Sequence, residues 1–268
     1  MKTVPVSEIF FSYQGEGLFT GQPQIFVRLA GCNLKCDYCD TPLKRSRPMT
    51  DTQVIDRVVE LSKQHFLPLL GGFTPLDKTP CSCHGPKRSV SLKPKPEHSK
   101  LPLSLTEFTP TVSITGGEPL LHADFLEALL FKLKARGFNI YLETNGTLPE
   151  KLKQVISCVD TVSMDFKLPS SCGADSFKKH EKFLKIANRK AFVKIVITDK
   201  TKEKEISRAA SIIKKVSGKI PLVLQFASPL RKIRPPDPGR AYSFVELAGK
   251  YLDSCTLGLQ MHKLWKIR

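Results

Sequence analysis

The chain has 268 residues, 41% of them hydrophobic, which is enough to bury a sizeable core in one domain, in the size range where barrels are common. No run of about 18 or more apolar residues occurs, which excludes a membrane-spanning helix, and the start MKTVPVSEIFFSYQGEG resembles neither a secretory signal nor a transit peptide, so a cytoplasmic protein is expected. The formal charge of +17 favours anions, but the basic residues are interspersed with acids, as at 200–204, and read as solvated helix faces, so no nucleic-acid contact is assigned from charge.

In chain order, the first distinctive stretch is EIFFSYQGEG at 8–17, where Gly15 and Gly17 mark a turn. A strand is predicted over residues 24–30, followed directly by a loop carrying Cys32, Cys36 and Cys39, and then an amphipathic helix over 50–66. Residues 67–110 break the pattern: rich in Pro, Ser and Lys, they carry Cys81-Ser82-Cys83-His84 and show no periodicity. This segment is read as an insertion in a single domain spanning 1–268. Beyond it, strands are predicted at 112–116, 139–145, 161–166, 192–198 and 222–227. They alternate with helices at 123–136, 149–157, 175–188, 202–216 and 243–252. Six strand–helix units predict an α/β fold, an incomplete (β/α)6-type barrel; a doubly wound open sheet gives the same alternation. Polar residues gather at the C-terminal ends of these strands, at Gly116-Gly117-Glu118, Glu143-Thr144-Asn145, Asp165 with Lys167, and Gln225, where either architecture places its active site.

Of the eight cysteines, three fall within eight residues, two are Cys81 and Cys83, and Cys158, Cys172 and Cys255 stand alone as ordinary buried or half-buried residues. Clustered cysteines in a reducing compartment point to metal or redox chemistry rather than disulfides. Three thiolates leave a four-iron cluster one ligand short, and an open position can bind a substrate or cofactor. The competing arrangement is a zinc site closed by Cys81, Cys83 or His84, as in a basic nucleic-acid-binding protein with a structural metal.

The Cys-x3-Cys-x2-Cys spacing with Tyr38 before the last cysteine, followed by Thr115-Gly116-Gly117-Glu118-Pro119, resembles the radical S-adenosylmethionine superfamily. Within it, Gln14-Gly15-Glu16-Gly17, Phe26-Val27-Arg28, Cys39-Asp40-Thr41, Leu142 to Thr147, Asp165 to Ser171 and Gln260-Met261-His262-Lys263 resemble the 7-carboxy-7-deazaguanine synthases, over nearly the whole chain outside the insertion. A glycyl-radical-enzyme activase shares the cysteine loop and the Gly-Gly-Glu-Pro strand end, but it needs a surface for a large protein partner. Gln-Gly-Glu-Gly and Arg28 suit a small carboxylated substrate instead.

The resemblance implies a 4Fe-4S cluster on Cys32, Cys36 and Cys39, S-adenosyl-L-methionine on its open iron, and cleavage of that cofactor to a 5′-deoxyadenosyl radical. It implies ring contraction of 6-carboxy-5,6,7,8-tetrahydropterin to 7-carboxy-7-deazaguanine with loss of ammonia, on the way to queuosine or archaeosine. Gln14, Gly15, Glu16, Arg28 and Thr115 would contact the pterin. Tyr38, Cys39, Asp40, Gly117, Glu143, Asp165, Phe166, Lys167, Gln225, Phe226, Ala227 and Ser228 would hold the cofactor. Thr41 would ligate Mg2+, although outside the resemblance it reads as a capping hydroxyl before Pro42. A reducing electron donor such as flavodoxin or ferredoxin, and a second copy in a homodimer, would be the protein partners. The residue types suit these roles: the Arg28 fork matches a carboxylate, and Gln14 and Glu16 can read the donors and acceptors of a pterin edge. One departure is Phe226, where the family usually has proline.

Overall fold

Strand side chains alternate between two faces, and here that alternation sorts the chain into an apolar outside and a polar inside. The structure is a computed structural model describing residues 2–40, 45–66, 109–230 and 232–267. Among the described residues nine strands form one sheet: β1 (Thr3–Tyr13), β2 (Pro23–Leu29), β3 (Arg47–Thr50), β4 (Thr111–Gly116), β5 (Asn139–Thr144), β6 (Thr161–Asp165), β7 (Ala191–Ile197), β8 (Leu222–Phe226) and β9 (Cys255–Gly258). Their order is β3-β1-β2-β4-β5-β6-β7-β8-β9, with β2 and β4 to β9 parallel and β1 antiparallel to both its neighbours. The parallel sheet does not close, so the incomplete barrel is the architecture present.

Ile25, Val27 and Leu29 on β2, Val112 and Ile114 on β4, and Ile140 and Leu142 on β5 belong to one large buried core. The same core takes in Val54 and Val58 of α1 (Asp51–His65), Leu126 and Leu130 of α2 (Ala123–Lys134) and Leu152 of α3 (Pro149–Val155). Outward residues of β6 to β8 do the same with Phe183 of α5 (Phe177–Ala187), Ile206 of α6 (Glu203–Val216) and Phe244 of α7 (Pro238–Gly249). Between them on the other face lie Ser113, Thr115, Glu143, Ser163, Asp165, Lys194 and Gln225. Deeper in the concave side, Tyr141, Phe192 and Val223 pack with Phe19, which the turn Gly17–Phe19 folds against the sheet. Each parallel strand is thus paired with an outer helix, and its polar inward residues are left facing a common interior.

The six predicted strands and six predicted helices are all present within a few residues. Strands β1, β3 and β9 were not predicted. In β1 the register slips between Val6 and Glu8, which blurs the period-two pattern. β3 is only Arg47–Thr50 and carries Pro48, tolerated because the strand lies at the sheet edge. Helix α7 starts five residues before the predicted 243, because Asp237 accepts a bond from the Arg240 N–H at 3.0 Å and Pro238 occupies the first helical position. Two short helices, α4 (Pro169–Cys172) and α8 (Met261–Trp265), were also not predicted. The insertion at 67–110, with Cys81, Cys83 and His84, lies outside the described residues except for Thr109 and Pro110.

His180 on α5 is fully buried, packs on Phe166 with ring centroids 4.1 Å apart, and places Nε2 3.1 Å from the Asn145 carbonyl oxygen. Burial pulls its pKa down to about 4, so the folded chain keeps it neutral. The unfolded chain protonates it near pH 6.5. The stability this difference contributes is present above about pH 6.5 and lost as pH falls to about 4. His180→Gln keeps a donor for the Asn145 oxygen. Urea melts are expected to show the variant gaining about 3 kcal/mol on the wild type as pH drops through that window.

Candidate active site at the mouth of the sheet

The C-terminal ends of the strands surround one cavity of about 230 Å³. It is lined by Arg28 of β2, Thr115 of β4, Glu143 of β5, Asp165 of β6, Lys194 of β7 and Gln225 of β8, together with Cys32, Cys36 and Cys39. Gln14, Gly15, Glu16, Tyr38, Asp40, Gly117, Lys167, Ala227 and Ser228 line it as well. Phe166 and Phe226 do not. Alternation turns the Phe166 side chain outward onto Phe177 and His180, and Phe226 packs on the main core. Thr41 lies outside the described residues.

One side of the cavity is a polar network built on the segment after β1. The buried Gln14 amide nitrogen donates to Glu143 Oε1 at 2.9 Å and to Gln24 Oε1 at 3.3 Å, and its oxygen accepts the Glu16 N–H at 3.1 Å. Thr115 Oγ1 donates to Glu143 Oε2 at 2.7 Å. Glu143, expected on the cofactor side, therefore ties together Gln14 and Thr115, both expected on the substrate side. Glu16 forms an ion pair with Lys194 and accepts from Gln260 Nε2 at 2.7 Å. Burial alone would raise its carboxyl, but Lys194, Gln260 and His262 overcome this and hold it at about 2. Lys194 also reaches Asp165 at 3.6 Å, and these carboxylates keep its ammonium charged although the side chain is buried.

The cysteine loop is latched from both ends. Glu118 N–H donates to the Gly31 carbonyl at 2.8 Å, and Gly117 N–H donates to the Leu29 carbonyl at 3.2 Å. The fully buried Glu118 carboxyl accepts from Leu120 N–H, Thr144 Oγ1 and Asn145 N–H at 3.1, 2.8 and 2.7 Å, with burial pushing its pKa up to about 7. Asn33 is fixed to the loop after β5 through Asn145 and Thr147, each at 2.9 Å. On the far side, Lys167 lies over the Tyr38 ring, 4.9 Å from its centroid, donates to its hydroxyl at 3.1 Å, and pairs with Asp165 at 2.7 Å. Cys32 and Cys39 are exposed and Cys36 is half-buried, and none is in a disulfide.

Buried polar groups in proteins are nearly always bonded. Here the Gln225 amide nitrogen and oxygen and Asp165 Oδ1 are buried without a hydrogen-bond partner, at the rim of a cavity that also presents three thiols. That donor and acceptor set fits a polar cofactor seated beside a metal cluster.

Sequence reading missed Lys194, a lysine inside the apolar run FVKIVI, and that mismatch with a buried strand was the available signal. It also missed Gln24, and it gave Gln260 and His262 no place at the site. Gln260 and His262 line the cavity because Met261 N–H docks on the Gly15 carbonyl at 2.9 Å.

The Radical SAM superfamily matches residues 100–207, a span beginning after the cysteine loop. Over 261 residues the chain is 38% identical to a 7-carboxy-7-deazaguanine synthase from Geobacter sulfurreducens, covering 96% of this chain and 95% of that protein. A synthase of the same name from Thermococcus kodakarensis is 31% identical and covers 97% of each chain. A crystal structure of QueE from Escherichia coli shares the fold with a TM-score of 0.54 at 20% identity, covering 97% of this chain and 95% of that one.

Proposed function

We infer the chemistry of this cavity from the premise that the chain belongs to the 7-carboxy-7-deazaguanine synthase family of the radical S-adenosylmethionine superfamily. It is a lyase that converts 6-carboxy-5,6,7,8-tetrahydropterin to 7-carboxy-7-deazaguanine, a ring contraction that releases ammonia. The observation that carries this reading is that three cysteine thiols and the Gln14–Glu16 network open onto one cavity. The relatives named here are synthases, which leaves the activase and the zinc-protein readings without support.

When bound, the cluster on Cys32, Cys36 and Cys39 and its S-adenosylmethionine supply the radical that starts the reaction; the protein's own part is positioning and shielding. Arg28, steadied by Glu8 at 3.5 Å and lying against the Phe10 ring, offers its guanidinium to the pterin carboxylate. Glu16, kept ionised by Lys194, accepts from N–H groups of the pterin edge, and Gln14 and Thr115 fix the neighbouring positions through Glu143. Gly117, with no side chain, lets the cofactor's amino group approach the backbone. The unpartnered Gln225 amide and Asp165 Oδ1 would hold the adenine and ribose of the cofactor. Lys167 holds Tyr38, and with it the cluster loop, at the end of β6.

Four further elements complete the proposal. Thr41 would hold Mg2+, a hard cation suited to oxygen ligands, a flavodoxin or ferredoxin would deliver the electron, the chain would work as a homodimer, and it would act in the cytoplasm. Among the described residues no helix is long and apolar enough to cross a membrane.

The test is an anaerobic assay of reconstituted protein with dithionite, S-adenosylmethionine, magnesium and 6-carboxytetrahydropterin, read by mass spectrometry. Deazaguanine is expected, with 5′-deoxyadenosine and a drop in turnover when magnesium is chelated. 5′-Deoxyadenosine without deazaguanine would mean that the substrate is wrong. Neither product, with zinc in place of iron, would overturn the whole reading.

A further inference from the structure

Cys172 lies far from the cysteine loop in sequence, yet its Sγ is 3.2 Å from Cys36 Sγ. The contact is held on both sides by backbone. Asp37 N–H donates to the Ser171 carbonyl at 3.0 Å, which docks the loop onto α4 one residue along from each cysteine. On the α4 side, Cys172 N–H and Ser171 N–H both donate to the Leu168 carbonyl at 3.1 Å, and Ser170 N–H donates to Glu205 Oε1 at 2.8 Å, anchoring the segment to α6. Both residues are half-buried rather than sealed in the core, which leaves the pair open to a small oxidant. A disulfide needs its sulfurs at about 2.05 Å, roughly 1 Å closer than they already stand, with the backbone around them fixed.

We propose that Cys36 and Cys172 form a reversible disulfide when the cluster is absent, and that this bond withdraws the middle cluster thiol until it is reduced. Two S–H bonds are lost and one S–S bond forms. The two electrons and two protons pass to a low-molecular-weight disulfide such as oxidised glutathione, whose S–S bond breaks to give two thiols. The bound cluster prevents the reaction because it occupies Cys36. The disulfide guards that sulfur from irreversible oxidation to sulfinic acid while the site is empty, and a thiol reductant must open it before iron can be taken up. The inference takes from the functional reading only that Cys36 carries iron; disulfide mapping itself does not depend on that reading.

The experiment treats the full-length protein with oxidised glutathione in two states, cluster-loaded and stripped of iron under reducing conditions. Non-reducing digestion and mass spectrometry follow, with fragmentation to assign each sulfur. The expected result is a Cys36–Cys172 cross-link as the main product in the stripped protein and none in the loaded protein. Oxidised wild type should then regain the cluster's visible absorbance only after dithiothreitol, whereas Cys172→Ser should regain it without a reductant and reach the same final iron content. Cross-links confined to Cys32, Cys36 and Cys39, or Cys172 recovered as its free thiol or glutathione adduct, would overturn the proposal. Failure of Cys172→Ser to hold a full cluster would overturn it too, because Cys172 would then be part of the cluster's support. A cross-link in a protein that never binds iron would instead count against the cluster assignment.

Discussion

Replacing Gly117 by alanine is expected to cut deazaguanine formation by about 10²-fold or more and to lower the iron content of the reconstituted protein, with the fold intact. A Cβ at this position would overlap the Gly31 carbonyl oxygen and come within 2.9 Å of Cys32 Cβ. That carbonyl cannot retreat freely, because it accepts the Glu118 N–H, and Glu118 is itself anchored by three bonds to its carboxyl. The cost falls on the cysteine loop, which must move away from β4 together with Cys32. Misplacing reacting groups by about 1 Å is enough for a loss of this size. Gly249→Ala is the control: it sits at the end of α7 with nothing within 4 Å of the added carbon, and it should be neutral or slightly stabilising. Circular dichroism, iron analysis and product yield on the two variants decide the matter. Full iron and normal turnover in Gly117→Ala would refute the account of this strand end.

Lys194→Met should lose about 3 kcal/mol of stability and about 10²-fold in turnover, because it leaves the half-buried Glu16 and Asp165 around an uncharged side chain. The stability loss should shrink as pH is lowered, since protonating Glu16 removes its repulsion with Asp165. Glu16 now titrates at about 2, held there chiefly by Lys194, and without that lysine burial would raise it, so the relief begins at a higher pH than the one at which Glu16 itself titrates in the wild type. Adding Glu16→Gln to Lys194→Met should recover part of the stability, since the two groups interact directly and their effects do not add. It should not recover turnover, because the charged reader of the pterin edge would be gone. Urea melts and steady-state kinetics on the two single variants and the double variant separate these effects. A Lys194→Met protein that melts like wild type would show that the pair contributes nothing to the folded state.

Much of the scaffold is legible in local pattern. The apolar runs of β2 and β4 to β8 and the amphipathic helices between them each report a periodicity that a short window contains, so their existence and parallel arrangement can be read directly. Strands β1, β3 and β9 could not be read in this way. One is bulged, one contains proline, and one is four residues long, and all three owe their place to a neighbour on the sheet.

The chemistry divides along the same line. Three cysteines within eight residues and a Gly-Gly-Glu-Pro strand end are contiguous in the chain, so the sequence alone determined the kind of site and the strand ends that surround it. Which side chains meet there was decided by tertiary structure. Lys194 faces Glu16 from a strand 178 residues away, Gln260 reaches Glu16 from 244 residues away, and Cys172 touches Cys36 across 136. Phe166, adjacent to two cavity residues, turns outward. Sequence separation carries no information about such meetings, because strand pairing and the curl of the sheet set them, and those depend on the whole core packing at once.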